Sequence, residues 1–381
     1  MLNNTTMLKK LSFVCSLAAA FVLFTSAKPE ASIASYDAAI KEYIESAEAV
    51  GLSTAVFSGN KIIYTNAYGM KDVENETPLA AGNVFKVGLS GRVLVSIAVY
   101  QLVDAGVLTT KDDISKWLGF EVRNPKYPDT PISIGMLLKQ TSSLKDSKEF
   151  TSIADLRAES GANIWSKNKP LTYSKSYNGF VVLAAIVEKA TGLRFDEYVK
   201  TYIFEPLKIN ASYISTDFGS GEKASAYYLK KSGEFQKTNK LIYKNPKLEG
   251  YVPGETTVKL KVNRNLMISA EDMAKILLTI VNDGVCPLYK VRLLSEKSAQ
   301  LLTKPTKSGK RSAAGAVSTK KVEGATLTYS SGSWNGHQSY WIFDKEQKLG
   351  IVVYTNGLHN GEISKKFATE LSGIFANVFY N

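Results

Sequence analysis

The chain has 381 residues, of which 44% are hydrophobic and 22% are charged, and its formal net charge at pH 7 is +12. These proportions are those of an ordinary globular protein with a large core. No window of the sequence shows internal repeats or low complexity. No basic stripe with interleaved aromatic residues is present, so the charge does not predict nucleic-acid binding.

The first residues are typical of a cleaved export signal. Lys9 and Lys10 precede an apolar run from Leu11 to Phe24, and Thr25-Ser26-Ala27 follows as a small-residue cleavage site. The run is too short to span a bilayer comfortably. We therefore expect residues 1–27 to be removed, leaving residues 28–381 in the periplasm or outside the cell without a transmembrane segment. Because residues 1–27 carry two lysines and no acidic residue, the formal charge falls from +12 to +10.

Cysteine and histidine are scarce in the remaining chain. Cys286 is the one cysteine after residue 27, so no intramolecular disulfide is possible there. The two histidines, His337 and His359, do not form a zinc-binding cluster in the sequence. We expect neither a metal nor a cofactor.

Apolar spacing predicts strands near both ends of the chain and helices between them. The predicted strands cover Leu52–Phe57, Ile62–Ala67, Ala325–Tyr329, Tyr340–Asp344 and Gly350–Thr355. The predicted helices cover residues 35–49, 93–103, 132–138, 180–190, 271–281 and 363–378. This order predicts an α+β fold with an antiparallel sheet built from residues 28–86 and 260–381 and flanked by helices. Residues 87–259 then form a mostly helical insertion.

Several segments follow one another in the order and at the spacing of a known enzyme family. They are Val84–Gly88 with Gln101–Leu108, Ile134–Leu144, Ile203–Leu207, Ser269–Met273 and Gly350–Asn356. Together they resemble the serine β-lactamases and penicillin-binding proteins, in the class C-like branch that includes D-Ala-D-Ala carboxypeptidases. The resemblance covers most of the chain after residue 27 and implies a β-lactamase/transpeptidase-like fold.

The resemblance also implies a serine nucleophile and a lysine base at the start of a buried helix. Positions i and i+3 place both side chains on one helix face. Counting forward from Phe85 and backward from Gln101 puts Leu89 at the serine position and Arg92 at the lysine position. Leucine has no nucleophilic atom, and a guanidinium stays protonated and cannot act as a base. We expect either change to abolish acyl transfer.

The family's second motif, Tyr-x-Asn, is also altered. Counting backward from the helix at residues 180–190 puts Lys175 at the tyrosine and Tyr177 at the asparagine. A slip of two residues would use Tyr173 as the tyrosine, but Lys175 then replaces the asparagine. Both registers stay open at this point, and the motif is broken in each.

The third motif, Lys/His-x-Gly on an inner strand, corresponds to Ser330-Ser331-Gly332. The glycine, which lets a substrate backbone approach the strand, is retained. The cationic residue is absent. By resemblance, catalysis is therefore not expected at the altered positions Leu89, Arg92, Lys175, Tyr177 and Ser330.

The motif positions predict an anion site in place of the catalytic one. The family places Arg92 and Lys175 around one small cavity, and no acidic residue stands at the three motifs. Two cations in a partly desolvated cleft favour a bound anion between them. We expect a peptidoglycan fragment or another small anion to bind at Arg92, Lys175, Ser330, Ser331 and Gly332.

Three functions remain open from the sequence. The first is a non-catalytic envelope protein that binds a ligand or partner in the old cleft. The second is an active serine hydrolase or peptidase with a reorganised nucleophile, although Val93 stands where Ser90 would need a lysine. The third is a purely structural protein whose cleft is plugged by Leu89 and Tyr177. The oligomeric state is not predicted.

Overall fold

The computed structural model describes residues 29–174, 176–230, 232–304, 317–322, 324–358 and 363–380. The expected export segment, residues 1–27, lies outside the described residues, as does Lys175.

Thirteen strands are assigned in the described residues. In chain order they are β1 (Gly51–Ser58), β2 (Lys61–Asp72), β3 (Thr77–Pro78), β4 (Phe85–Lys86), β5 (Tyr227–Leu229), β6 (Phe235–Lys237), β7 (Met267–Ile268), β8 (Val285–Cys286), β9 (Val291–Arg292), β10 (Ser318–Val322), β11 (Ala325–Trp334), β12 (His337–Asp344) and β13 (Leu349–Thr355).

The α-helices of the described residues lie mostly between the two groups of long strands. They are α1 (Pro29–Ser46), α2 (Val93–Asp104), α3 (Ile114–Leu118), α4 (Ile134–Leu138), α5 (Asn178–Thr191), α6 (Phe195–Val199), α7 (Asn239–Ile242), α8 (Ala270–Val281), α9 (Glu296–Thr303) and α10 (Ile363–Phe379).

The main sheet joins both ends of the chain, as the sequence predicts. Its seven strands run in the order β10-β11-β12-β13-β1-β2-β3, and each pair of neighbours is antiparallel. Strand β1 pairs with β13, with Leu52 opposite Thr355 and Ser58 opposite Leu349. The predicted α+β fold with an antiparallel sheet is therefore confirmed.

The sheet separates two hydrophobic cores. On one face the terminal helices α1 and α10 pack on each other and on the strands, with Tyr36 and Phe367 buried between them. On the other face lie α2, α5 and α8, and their apolar side chains form the larger core. Alternation along the strands assigns each side chain to one of these faces.

Helix α2 lies within the larger core, as expected for a segment that is apolar on almost every side. A 3₁₀ helix, Gly88–Arg92, precedes it and continues directly into its first turn. Leu89 lies in this short helix at the entrance to α2.

A buried carboxylate connects several segments of the helical region through hydrogen bonds. Glu188 of α5 is fully buried and accepts hydrogen bonds from the Phe195 and Gly254 backbone nitrogens at 2.8 and 2.6 Å. It also accepts from the hydroxyls of Tyr251, at 2.6 Å, and Thr257. Burial raises the pKa of Glu188, and the four donors oppose that rise. One side chain thus ties α5 to α6 and to the loop around residue 254.

No helix within the described ranges is long and apolar enough to cross a membrane.

Candidate functional site

The retained glycine of the third motif lets strand β11 lie directly against the turn that carries Leu89. A Cβ atom on Gly332 would stand 2.1 Å from the Val87 carbonyl oxygen and 2.8 Å from the Leu89 nitrogen. Real Cβ atoms do not approach other heavy atoms that closely, so only glycine fits. The chain therefore keeps a close approach between strand β11 and the turn at Leu89.

Ser90, next to the lost nucleophile, is part of the core. It is fully buried, its hydroxyl donates to the Val87 carbonyl oxygen at 3.0 Å, and it lies 2.8 Å from the Ser339 hydroxyl. Trp341 donates from its indole nitrogen to the Ser90 carbonyl oxygen at 3.3 Å. These contacts turn the Ser90 hydroxyl toward the sheet and away from solvent.

Arg92 is a buried cation held by rings and by the backbone. Its side chain is 8% exposed, and Nε donates to the Leu89 carbonyl oxygen at 2.8 Å. The guanidinium carbon lies 4.8 Å from the Tyr177 ring centroid and 5.1 Å from that of Phe180. A cation that lies above the face of an aromatic ring is attracted to that ring. One terminal nitrogen, Nη1, is buried without a hydrogen-bond partner.

Burial lowers the pKa of the Arg92 guanidinium to about 10, and the nearby Tyr177 and Asp146 oppose that fall. The group stays protonated at neutral pH. No described residue makes an ion pair with it. Asp146 instead accepts hydrogen bonds from the backbone nitrogens of Tyr177 and Asn178, at 2.6 and 3.1 Å, where α5 begins. An acceptor at a helix N-terminus satisfies donors that the helix leaves open.

Sequence reasoning missed Asp146, the carboxylate that acts on Arg92. The residue lies in the loop after the Ile134–Leu144 segment and belongs to none of the three motifs. It lies 32 residues before Asn178, the first residue of α5, so no helix-capping spacing reveals it. Tertiary folding brings the two segments together.

Tyr173 and Tyr177 have different surroundings. Tyr177 is half-buried against Arg92. Tyr173 donates from its hydroxyl to Gln140 Oε1 at 3.4 Å, and the same oxygen accepts from the Ser176 nitrogen at 3.2 Å. Lys175, between the two tyrosines, lies outside the described residues.

The three residues of the third motif divide between the two faces of the sheet. Ser330 is buried and shares a face with Gly332, which adjoins Leu89. Ser331 is opposite Tyr340, whose hydroxyl bonds to Ser372 of α10 on the other face. The expectation that Ser331 lines the same site is therefore corrected, because successive strand residues point in opposite directions.

Replacing Arg92 by methionine is expected to leave the free energy of unfolding unchanged or to raise it by up to about 2 kcal/mol. The substitution keeps a long side chain in the core and removes a buried charge that has no ion-pair partner among the described residues. Thermal and urea unfolding measure the effect. Arg123→Met is the matched comparison, because Arg123 pairs with Asp113 at 2.8 Å, and it should lower stability. A loss above about 2 kcal/mol for Arg92→Met would show that the guanidinium stabilises the fold.

The chain is similar in sequence to several known proteins. The family model described as Beta-lactamase matches residues 36–371. Penicillin-binding protein 4* of Bacillus subtilis is 25% identical over 183 residues, which cover 44% of this chain and 39% of that protein. A β-lactamase of Yersinia enterocolitica is 21% identical over 334 residues, covering 80% and 82% of the two chains. The chain thus spans less than half of the first of these relatives.

A solved structure has the same fold. The D-amino acid amidase from Ochrobactrum anthropi superposes with a TM-score of 0.69 and 17% identity, covering 91% of this chain and 97% of that one.

Proposed function

We propose that this chain, which belongs to the β-lactamase family, is a non-catalytic member that uses its former catalytic pocket for binding. The observation that carries the proposal is the pair at the entrance to α2. Leu89 supplies no nucleophile, and three residues later Arg92 supplies a cation in place of a base. The fold and the close approach at Gly332 are retained, while the reacting groups are absent.

A relocated nucleophile is not favoured by the surrounding serines. Ser90 is buried and bonded to Val87 and Ser339, as described above. Ser142 and Ser143, in the loop that the family uses beside its catalytic site, are also buried. The Ser143 hydroxyl lies 2.9 Å from the Asn124 amide nitrogen, which donates to it. An activated serine needs an adjacent base and access to substrate. Neither feature accompanies these side chains among the described residues.

The ligand that this pocket suits is a small molecule with a carboxylate, such as a peptidoglycan peptide. The unpartnered Nη1 of Arg92 needs an acceptor, and Asp146 is engaged at the start of α5. A guanidinium binds a carboxylate through two parallel hydrogen bonds when it is accessible. Ser330 and Gly332 lie on the same side of the sheet, along the part of β11 that adjoins Leu89. Because the Tyr177 ring covers Arg92, this ring moves aside when the ligand enters.

An exported location in the periplasm or outside the cell is part of the proposal. It is supported by the signal-like residues 1–27 and by the β-lactamase and penicillin-binding relatives.

Calorimetric titration with muramyl peptides and with acetate tests the binding proposal. We expect the wild-type protein to bind a muramyl peptide, and Arg92→Ala to bind it at least tenfold more weakly, the loss typical of a charge-assisted hydrogen bond. Arg157→Ala is the control, since Arg157 also stacks on a ring, that of Phe120, but is 45% exposed and lies on another surface. Absence of binding by the wild type, or equal binding by Arg92→Ala, would favour a plugged structural pocket instead.

A further inference from the structure

A cavity of about 240 Å³ lies at the end of the main sheet where β11 turns into β12. Gln338 and Leu358 are among its lining residues, together with strand β5 and the turn between β11 and β12. Gln338 neighbours Ser339 along β12, and the Ser339 hydroxyl donates to the Val87 carbonyl oxygen on the catalytic side. Because strand side chains alternate, Gln338 points to the other face. The Gln338 side chain therefore points away from Leu89 and Arg92.

The backbone builds this cavity in advance of any ligand. Asn335 and Gly336 form the tight turn between β11 and β12, with φ angles of 44° and 100°. A Cβ atom on Gly336 would stand 2.3 Å from the Tyr227 carbonyl oxygen, so glycine alone lets β5 close against the turn. The Thr238 hydroxyl donates to the Asn335 carbonyl oxygen at 2.9 Å and fixes the turn to the segment after β6.

Gln338 leaves an acceptor without a donor in the wall of the cavity. The residue is 4% exposed, and its Oε1 atom is buried with no hydrogen-bond partner. Most buried side-chain polar atoms in folded proteins are paired, because an unpaired one costs about 1–3 kcal/mol. If the Gln338 side chain turns toward the cavity, a ligand there that donates an O–H or N–H group to Oε1 removes that cost.

The other lining groups indicate what kind of ligand carries this donor. None of the lining residues is charged, which disfavours an ionic ligand. Tyr228 is 54% exposed and offers an aromatic face, and Ser333 and Asn335 add a hydroxyl and an amide. The volume is below the range of about 300–1,000 Å³ that holds drug-sized molecules, so the ligand is small.

We propose that this cavity binds a single neutral sugar ring. A pyranose places several hydroxyl donors and acceptors around its edge, and these match the amides of Gln338 and Asn335 and the hydroxyl of Ser333. Its C–H face packs on an aromatic ring such as that of Tyr228. The site requires neither the catalytic pocket nor a ligand at Arg92, so it stands apart from the proposed function.

Saturation-transfer NMR on the protein after export processing tests the proposal, using glucose, galactose and N-acetylglucosamine as probes. Glucuronate serves as a charged probe, and N-acetylalanine amide as a peptide-like one. We expect at least one neutral sugar to bind with a millimolar dissociation constant, as suits a ligand of this size. Gln338→Leu should weaken that binding about tenfold, equivalent to one hydrogen bond, and Tyr228→Ala should weaken it several-fold.

Three controls separate sugar binding from effects on folding and from binding at the former catalytic pocket. Gln338→Leu should unfold at or above the wild-type temperature, since it replaces an amide whose buried oxygen has no hydrogen-bond partner by an apolar group. Gln347→Leu makes the same change in the exposed turn at the far end of β12 and should leave sugar binding intact. Arg92→Ala should also leave it intact. The proposal is overturned if no neutral sugar binds, if only the charged or peptide-like probe binds, or if Gln338→Leu binds sugar as well as the wild type does.

Discussion

Penicillins are expected to leave the protein unmodified, and its serine-dependent hydrolysis of esters or of D-Ala-D-Ala peptides should stay at background. The physical reason is the absence of a nucleophilic atom at Leu89 and of a neutral base at Arg92. Removing the nucleophile of a serine hydrolase costs on the order of a millionfold in turnover. Intact-mass spectrometry after incubation with a fluorescent penicillin, together with nitrocefin turnover, makes the measurement. A penicillin adduct on any serine would refute the prediction and revive a reorganised active site.

The reverting variant, Leu89→Ser with Arg92→Lys, should recover little activity. The sequence predicts that the second and third motifs are altered as well, at Lys175 in either register of the second motif and at Ser330 in the third. Residues that act as one catalytic unit do not contribute additively. The Arg92 guanidinium also packs against the rings of Tyr177 and Phe180, and these contacts fit a guanidinium rather than the amine of a lysine. Restoration of full β-lactamase turnover by these two substitutions alone would show that the remaining site is catalytically intact.

Glu188→Ala should lower the free energy of unfolding by about 3–5 kcal/mol, the largest stability effect that we expect from a single polar residue. The substitution leaves the four donors of Phe195, Tyr251, Gly254 and Thr257 without their common acceptor in a buried setting. Urea unfolding measures the change in midpoint. Because α5 carries Phe180 beside Arg92, ligand binding at the former catalytic pocket should weaken in parallel.

Glu255→Ala is the matched control for this prediction. Glu255 lies in the same loop and pairs with Lys189 at 3.0 Å, but its side chain is 61% exposed. A surface ion pair of this kind contributes about 0–1 kcal/mol. Glu188→Gln, which keeps the shape but turns an amide toward some of the donors, should fall between the two. Equal stability of Glu188→Ala and Glu255→Ala would mean that the buried Glu188 carboxylate does not stabilise the helical region.

The predicted fold was confirmed, because it depends on patterns that neighbouring residues carry. Helix α2 is apolar on almost every side, and the strands near both ends are rich in β-branched residues, so their burial follows from local composition. The ends of the strands follow less closely from local sequence. Strand β11 extends to Trp334, five residues past its predicted end at Tyr329, because pairing with β12 continues through the serine-rich segment. That extension depends on a partner strand, which residue propensities do not describe.

The sequence by itself determined the family, and it predicts the loss of the reacting groups, because Leu89 and Arg92 stand at a fixed spacing from residues that resemble the family's. The tertiary structure alone decided the surroundings of those positions. It buried Arg92 between Tyr177 and Phe180, brought Asp146 to the start of α5, and turned Ser331 to the opposite face. Spacing along the chain specifies which residues share a helix or a strand. Burial, counter-charge and side-chain pairing instead arise from segments far apart in sequence, and only packing brings these together.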